Sequence, residues 1–167
     1  YRQFFYRKRY FEPEFRKYDR VGITTLFTFY WDITVQTINF AKQLCKTDDG
    51  VMVGGIMASI LAERVEKETG IRPHIGTLHT PGELDPENDI IIDTLPLDYS
   101  ILEEIDYQYP ASDAYFAYMT RGCINKCKFC AVPKLEPSYT DFLPVSEQVR
   151  IAEKRYGAKR DLLLLDN

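Results

Sequence analysis

Three of the chain's four cysteines, Cys123, Cys127 and Cys130, fall within the eight residues of "CINKCKFC". Intervals of three residues and then two put three thiolate donors on one short loop, as short-spaced cysteine runs do around iron-sulfur clusters. Three donors leave one iron of a cubane cluster without a protein ligand, and an open coordination position separates a catalytic metal site from a closed structural one. A structural zinc site would need a fourth ligand, and the only histidines, His74 and His79, lie in the other half of the chain. A thioredoxin-like dithiol could use Cys127 and Cys130, but that motif ordinarily opens a helix and leaves Cys123 unused. Three unrelated thiols are hard to reconcile with such clustering. Cys45 instead falls on the apolar face of an expected helix, which is core packing.

The elements that must position this loop follow from periodicity. "VGITTLFTF" is β-branched and aromatic and predicts a buried strand. "DITVQTINFAKQLC" has near-helical apolar spacing with Asp32 as its expected N-cap; "GVMVGG" predicts a second strand. "IMASILAERVEKETG" predicts a helix closed by Gly70, "IRPHIGTL" is extended, and "NDIIID" predicts a third strand. Strand, helix, strand, helix, strand is the order of an α/β unit with a parallel sheet, so residues 21–93 are expected to form a partial flavodoxin-like domain. Residues 94–112, rich in proline and tyrosine, are read as a linker. In residues 113–167, "DAYFAYMTRG" predicts a strand, 122–144 a long loop, "VSEQVRIAEKRYG" a helix opened by Pro144 or Ser146 and closed by Gly157, and "DLLLL" a strand. That order is one βαβ unit.

Composition bounds the alternatives. With 45% hydrophobic and 28% charged residues the chain can bury a core, and its net charge of −4 gives no general attraction to a polyanion. Residues 1–20 interleave Phe4, Phe5, Tyr6, Tyr10 and Phe11 with Arg2, Arg7, Lys8 and Arg9, which suits either base stacking and phosphate contact or a terminal segment packed on partners elsewhere. Four cysteines, three of them clustered, do not make a secreted disulfide scaffold. No apolar run reaches eighteen residues and the start of the chain is too charged for a signal sequence, so the expectation is a cytoplasmic protein with no membrane partner. A chain that opens on Tyr1 and stops just after four leucines is expected to be a piece of a longer protein.

The CxxxCxxC loop between a first strand and a first helix, with Phe129 just before its last cysteine, resembles the signature of radical S-adenosylmethionine enzymes. The resemblance implies that Cys123, Cys127 and Cys130 hold a 4Fe-4S cluster whose open iron is chelated by the amino and carboxylate groups of S-adenosylmethionine. It further implies an electron donor such as flavodoxin or ferredoxin, cleavage of the sulfonium bond to C5′, and a 5′-deoxyadenosyl radical that abstracts hydrogen from a small-molecule or macromolecular substrate. Phe129 is implied to line the pocket near the adenine. The family's second strand usually ends in a Gly-Gly-Glu-like motif that receives the methionine amino group. Here "LLLLDN" has no glycine pair, so Asp166 and Asn167 stand at that position, a plain polar turn being the other reading.

The upstream half resembles the cobalamin-binding-type domain that precedes such barrels, with "VGGIMAS" matching its strand-to-helix segment. The Asp-x-His-x-x-Gly signature of the cobalt-ligating histidine is absent, so the resemblance implies the fold without a cobalamin ligand motif. Residues 113–167 would then be the first βαβ unit of a radical S-adenosylmethionine β/α barrel, expected not to turn over substrate alone. A reading of a different class stays open beside this one: a non-catalytic iron-sulfur or zinc-binding module, associated with RNA through the basic aromatic N-terminus.

Overall fold

The computed structural model describes residues 18–102 and 109–166; most of the basic aromatic segment, part of the expected linker, and Asn167 lie outside the described residues. The chain divides into two compact units, Tyr1–Gly76 and Thr77–Asn167. Both are mixed α/β with small parallel sheets. No helix among the described residues is long and apolar enough to cross a membrane.

In the first unit, strand β1 (Val21–Thr25) pairs in parallel with β2 (Val51–Gly55), in a register running from Val21 opposite Val51 to Thr25 opposite Gly55. Helix α1 (Trp31–Leu44) connects them, and α2 (Ile56–Ile60) and α3 (Ala62–Thr69) follow. Ile38, Met57 and Val65, all fully buried, meet Val51 and Val53 in one core. Each such side chain contributes roughly 1.5–3 kcal/mol by leaving water. Cys45 belongs to this core, its Sγ directed at the Asp19 carbonyl at 3.4 Å, as expected of a packing cysteine.

The expected boundaries shift for local reasons. A 3-10 turn at Thr28–Tyr30 feeds directly into α1, so the helix opens at Trp31 and Asp32 is an acid of the first turn, near the positive end of the helix dipole, rather than the N-cap. The single helix expected over 56–69 breaks at Leu61, whose φ of −115° and ψ of 33° are not helical. Gly70 does close α3, in the left-handed conformation and donating to the Glu66 carbonyl at 2.8 Å.

"NDIIID" is not a strand. Ile90 is exposed, Ile92–Thr94 form a 3-10 turn, and the segment's backbone bonds go to other loop groups: Gly82 donates to Ile90 O and Asp93 to Leu78 O. It belongs to the second unit and pairs with no strand, so among the described residues the sheet of the first unit has two strands and not three.

In the second unit, β3 (Ala114–Ala117) pairs in parallel with β6 (Asp161–Leu164), with α5 (Val145–Tyr156) between them in sequence and packed on β3. The strand expected over 113–122 splits: β4 (Thr120–Arg121) turns away to pair antiparallel with β5 (Thr140–Asp141). Pro144 occupies the N-cap of α5 and Gly157 follows its last turn at φ +82°.

Within the stretch expected as linker, one residue contributes to the core. Tyr99 is buried, stacks on Phe116 at 5.8 Å, leans on Tyr156 at 5.2 Å, and its hydroxyl accepts the Phe116 N–H at 2.8 Å. The leucines of β6 remain half exposed, because among the described residues that strand is paired only on its β3 side.

One turn in the first unit is sterically closed. The Thr25 hydroxyl donates to Gly54 O at 2.8 Å and accepts the Ala58 N–H at 2.9 Å, drawing β1, β2 and α2 together. Gly55, at φ +93°, sits so close that a Cβ there would lie 2.3 Å from the Thr25 carbonyl oxygen, whereas one on Gly54 would meet nothing within 4 Å. Gly55→Ala should therefore lower the urea-unfolding free energy by about 2 kcal/mol or more, and Gly54→Ala should change it by no more than about 0.5 kcal/mol.

Candidate functional site

The cysteine loop leaves β4 at Gly122 and returns to β5 at Thr140. All three thiols are free; Cys127 is exposed, and Cys123 and Cys130 are partly so. Backbone bonds give the loop local shape: Cys130 N–H donates to the Cys127 carbonyl at 3.1 Å, and Asn125 N–H points at Cys123 Sγ at 3.4 Å. The short helix α4 (Val132–Leu135) follows at once, with Pro133 in its first turn, where a missing N–H costs nothing.

Phe129 lies on this loop, 94% exposed. Asp166 lies elsewhere, beside the base of the loop, and Asn167 is outside the described residues. No group of three or more His, Cys, Asp or Glu among the described residues is gathered into a metal-holding arrangement.

What the structure adds is the closure at the loop's base. The Arg121 guanidinium lies over the Tyr118 ring at 4.1 Å and the Phe142 ring at 4.7 Å. Its Nη2 is paired with Asp93 Oδ1 and its Nη1 lies 3.5 Å from Glu136 Oε1. The other oxygen of Glu136 accepts the Gly122 N–H at 2.5 Å. One carboxylate therefore holds two successive residues at the loop's entrance, from a position at its exit. All three charged side chains are mostly shielded, so partner removal strands a charge away from water.

Gly122 must be glycine. Its φ is +74°, and a Cβ would lie 2.2 Å from the Ser138 carbonyl oxygen. Behind it, Gln148 of α5 donates to the Tyr118 and Leu143 carbonyls at 2.7 and 2.6 Å, tying the helix to both sides of the base.

Sequence reasoning singled out none of Arg121, Asp93 and Glu136 as a site residue. The available signal was slight: an arginine and a glycine directly before the first clustered cysteine. That Asp93 meets Arg121 depends on a packing of segments 28 residues apart. A cavity of about 390 Å³ opens beside this network, bordered by His79, Asp93, Arg121, Glu136, Thr140 and Phe142.

In the first unit a cavity of about 450 Å³ lies at the C-terminal end of β1, lined among the described residues by Thr25, Phe27, Tyr30 and Thr37 among others, and by no histidine. Its lining supplies hydroxyls, aromatic faces and aliphatic groups, and no imidazole to serve as a lower ligand for cobalt.

Burial lifts the Asp93 carboxyl above its ordinary pKa; Arg121 opposes the rise and Glu136 adds to it. The folded chain thus keeps that proton to higher pH than the unfolded chain does. Asp93 should make stability fall as pH rises from the ordinary aspartate range through its own raised pKa, and Asp93→Asn should remove that component from a pH series of urea midpoints. Arg121→Met leaves Asp93 and Glu136 facing each other without their cation. It should cost roughly 2–3 kcal/mol of unfolding free energy, somewhat less than for a fully buried pair, by the same titration.

Compared with known proteins, the chain matches no family model and no curated protein.

Proposed function

We propose that this chain holds a 4Fe-4S cluster on Cys123, Cys127 and Cys130 and belongs to an enzyme of the radical S-adenosylmethionine type. The observation that supports this reading is a donor set of three free thiols on one loop whose two ends are clamped together, while the fourth cysteine is sunk in the core of the other unit. As a donor set they fit such a cluster: soft, deprotonable, uncommitted to disulfides, and one fewer than a closed site requires.

A cluster held by Cys123, Cys127 and Cys130 would supply the electron for reductive cleavage of a bound S-adenosylmethionine, the chemistry of that enzyme type. The chain's own contributions are positional. Gly122 and Glu136 set where the loop starts, α4 sets how it leaves, and Phe129 offers an uncovered aromatic face next to the last thiol that suits a flat base. Four free thiols also suit the reducing, cytoplasmic setting expected of the chain. The flavodoxin-like, cobalamin-binding-type identity of the first unit is part of the same reading; cobalamin itself has no ligand residue in the cavity there.

Anaerobic reconstitution with iron and sulfide tests the proposal. The expected result is about four irons and four sulfides per chain, with an electron paramagnetic resonance spectrum that changes when S-adenosylmethionine is added. Alanine at any one of Cys123, Cys127 or Cys130 should abolish the cluster, and Cys45→Ala should leave it in place. One tightly held zinc, with no response to S-adenosylmethionine, would instead establish a non-catalytic metal module.

A further inference from the structure

We propose that Asp166 is a positioning residue that anchors the start of the cysteine loop, and is not a group that receives a ligand's ammonium. Strand β6 runs parallel to β3, and Leu165 N–H continues the ladder by donating to the Ala117 carbonyl at 2.9 Å. The chain therefore leaves β6 beside the point where β3 ends and turns toward the cysteines.

There the Asp166 carboxylate meets three donors from two consecutive residues. Oδ1 accepts from Met119 N–H at 3.0 Å, Thr120 N–H at 2.6 Å and the Thr120 hydroxyl at 2.8 Å, and Oδ2 lies 3.0 Å from the same Met119 N–H. Successive backbone N–H groups directed at one anion form a small anion-binding concavity, here filled by a side chain 46 residues away in sequence.

The ionised carboxylate is the form these donors select. The Met119 N–H is the largest cause holding its pKa below the ordinary aspartate value, and the Thr120 donors add to it. An amide in its place would offer one neutral oxygen and turn its NH₂ toward the Met119 N–H, from which it cannot accept.

Two residues separate Thr120 from Cys123, and these, Arg121 and Gly122, are the residues held by Asp93 and Glu136. Asp166 completes that clamp from the β6 side. With Oδ1 engaged by three donors and Oδ2 sharing one of them, Asp166 fits the polar-turn reading, given a structural task, better than the cofactor-contact one.

The proposal rests on the cluster reading only for its spectroscopic consequence. The test uses the full 167-residue chain as wild type, Asp166→Asn, Asp166→Glu and Thr120→Val. In metal-free protein, amide hydrogen exchange at Met119 and Thr120 should be about tenfold faster in Asp166→Asn, with β3 and β6 little changed, and Asp166→Glu should restore part of the protection. Thr120→Val, which keeps the carboxylate and removes one donor, should show a smaller acceleration at Thr120. After reconstitution, the reduced Asp166→Asn protein should bind wild-type iron but give a shifted or broadened resonance before any S-adenosylmethionine is added.

Unchanged exchange at Met119 and Thr120 in both Asp166→Asn and Thr120→Val overturns the proposal. So does a normal ligand-free spectrum with only the S-adenosylmethionine response lost, which is the signature of a cofactor contact. Acceleration spread evenly over β3 and β6 also overturns it, because the residue would then act on global stability alone. If wild type takes up no iron, the cluster reading fails, and the exchange measurements still decide the role of Asp166.

Discussion

A single guanidinium organises the candidate site. Arg121 lies over two aromatic rings, is paired with Asp93 from a segment well before it, and is approached by Glu136 from the far end of the cysteine loop. Arginine suits this position because its planar, always-charged fork can stack and hydrogen-bond at once, which lysine's point charge cannot. Since Glu136 also accepts the Gly122 N–H, the two ends of the cysteine loop are held as one unit. A loop closed at its base has fewer conformations to lose when its tip is ordered, which is how a short loop can present donors at defined positions without an extensive core beneath it.

The first unit solves a similar problem with neutral groups. Thr25 bonds to Gly54 and Ala58, and Gly55 allows the strand-to-helix turn to close against the Thr25 backbone. Beneath that turn the apolar core of Ile38, Met57 and Val65 supplies the larger energy, and the polar ties fix the direction in which the chain leaves the strand. In both units a glycine with positive φ sits where two backbones come too close for a side chain, at Gly55 and at Gly122.

For function, the contrast between the thiols is informative. Cys45 is buried among aliphatic side chains with its Sγ directed at the Asp19 carbonyl, whereas the other three sit on a loop with solvent access, and the Asn125 N–H points at Cys123 Sγ. The uncovered ring of Phe129 and the clustered thiols lie along the loop, and the carboxylates of Asp93, Glu136 and Asp166 lie at its base.

The sequence alone determined what depends on local spacing. The cysteine cluster, the amphipathic run of α5, the glycine after α3 and the β-branched run of β1 are short-range patterns, and each corresponds to an element or loop of the structure. "NDIIID" shows the limit of that logic: three isoleucines are as apolar as any strand, but a strand requires a pairing partner, and this segment's backbone bonds go to loop groups instead. Tyr99 shows the converse, a residue in a patternless stretch that becomes core because Phe116 and Tyr156 stack around it.

The clamp is likewise a tertiary decision. Asp93 and Arg121 are 28 residues apart, and Asp166 and Thr120 are 46 apart, so their ionic and hydrogen-bonded contacts have no periodic trace in the chain. Such contacts exist only once the strands have paired, because paired backbones set which distant carboxylate faces which donor.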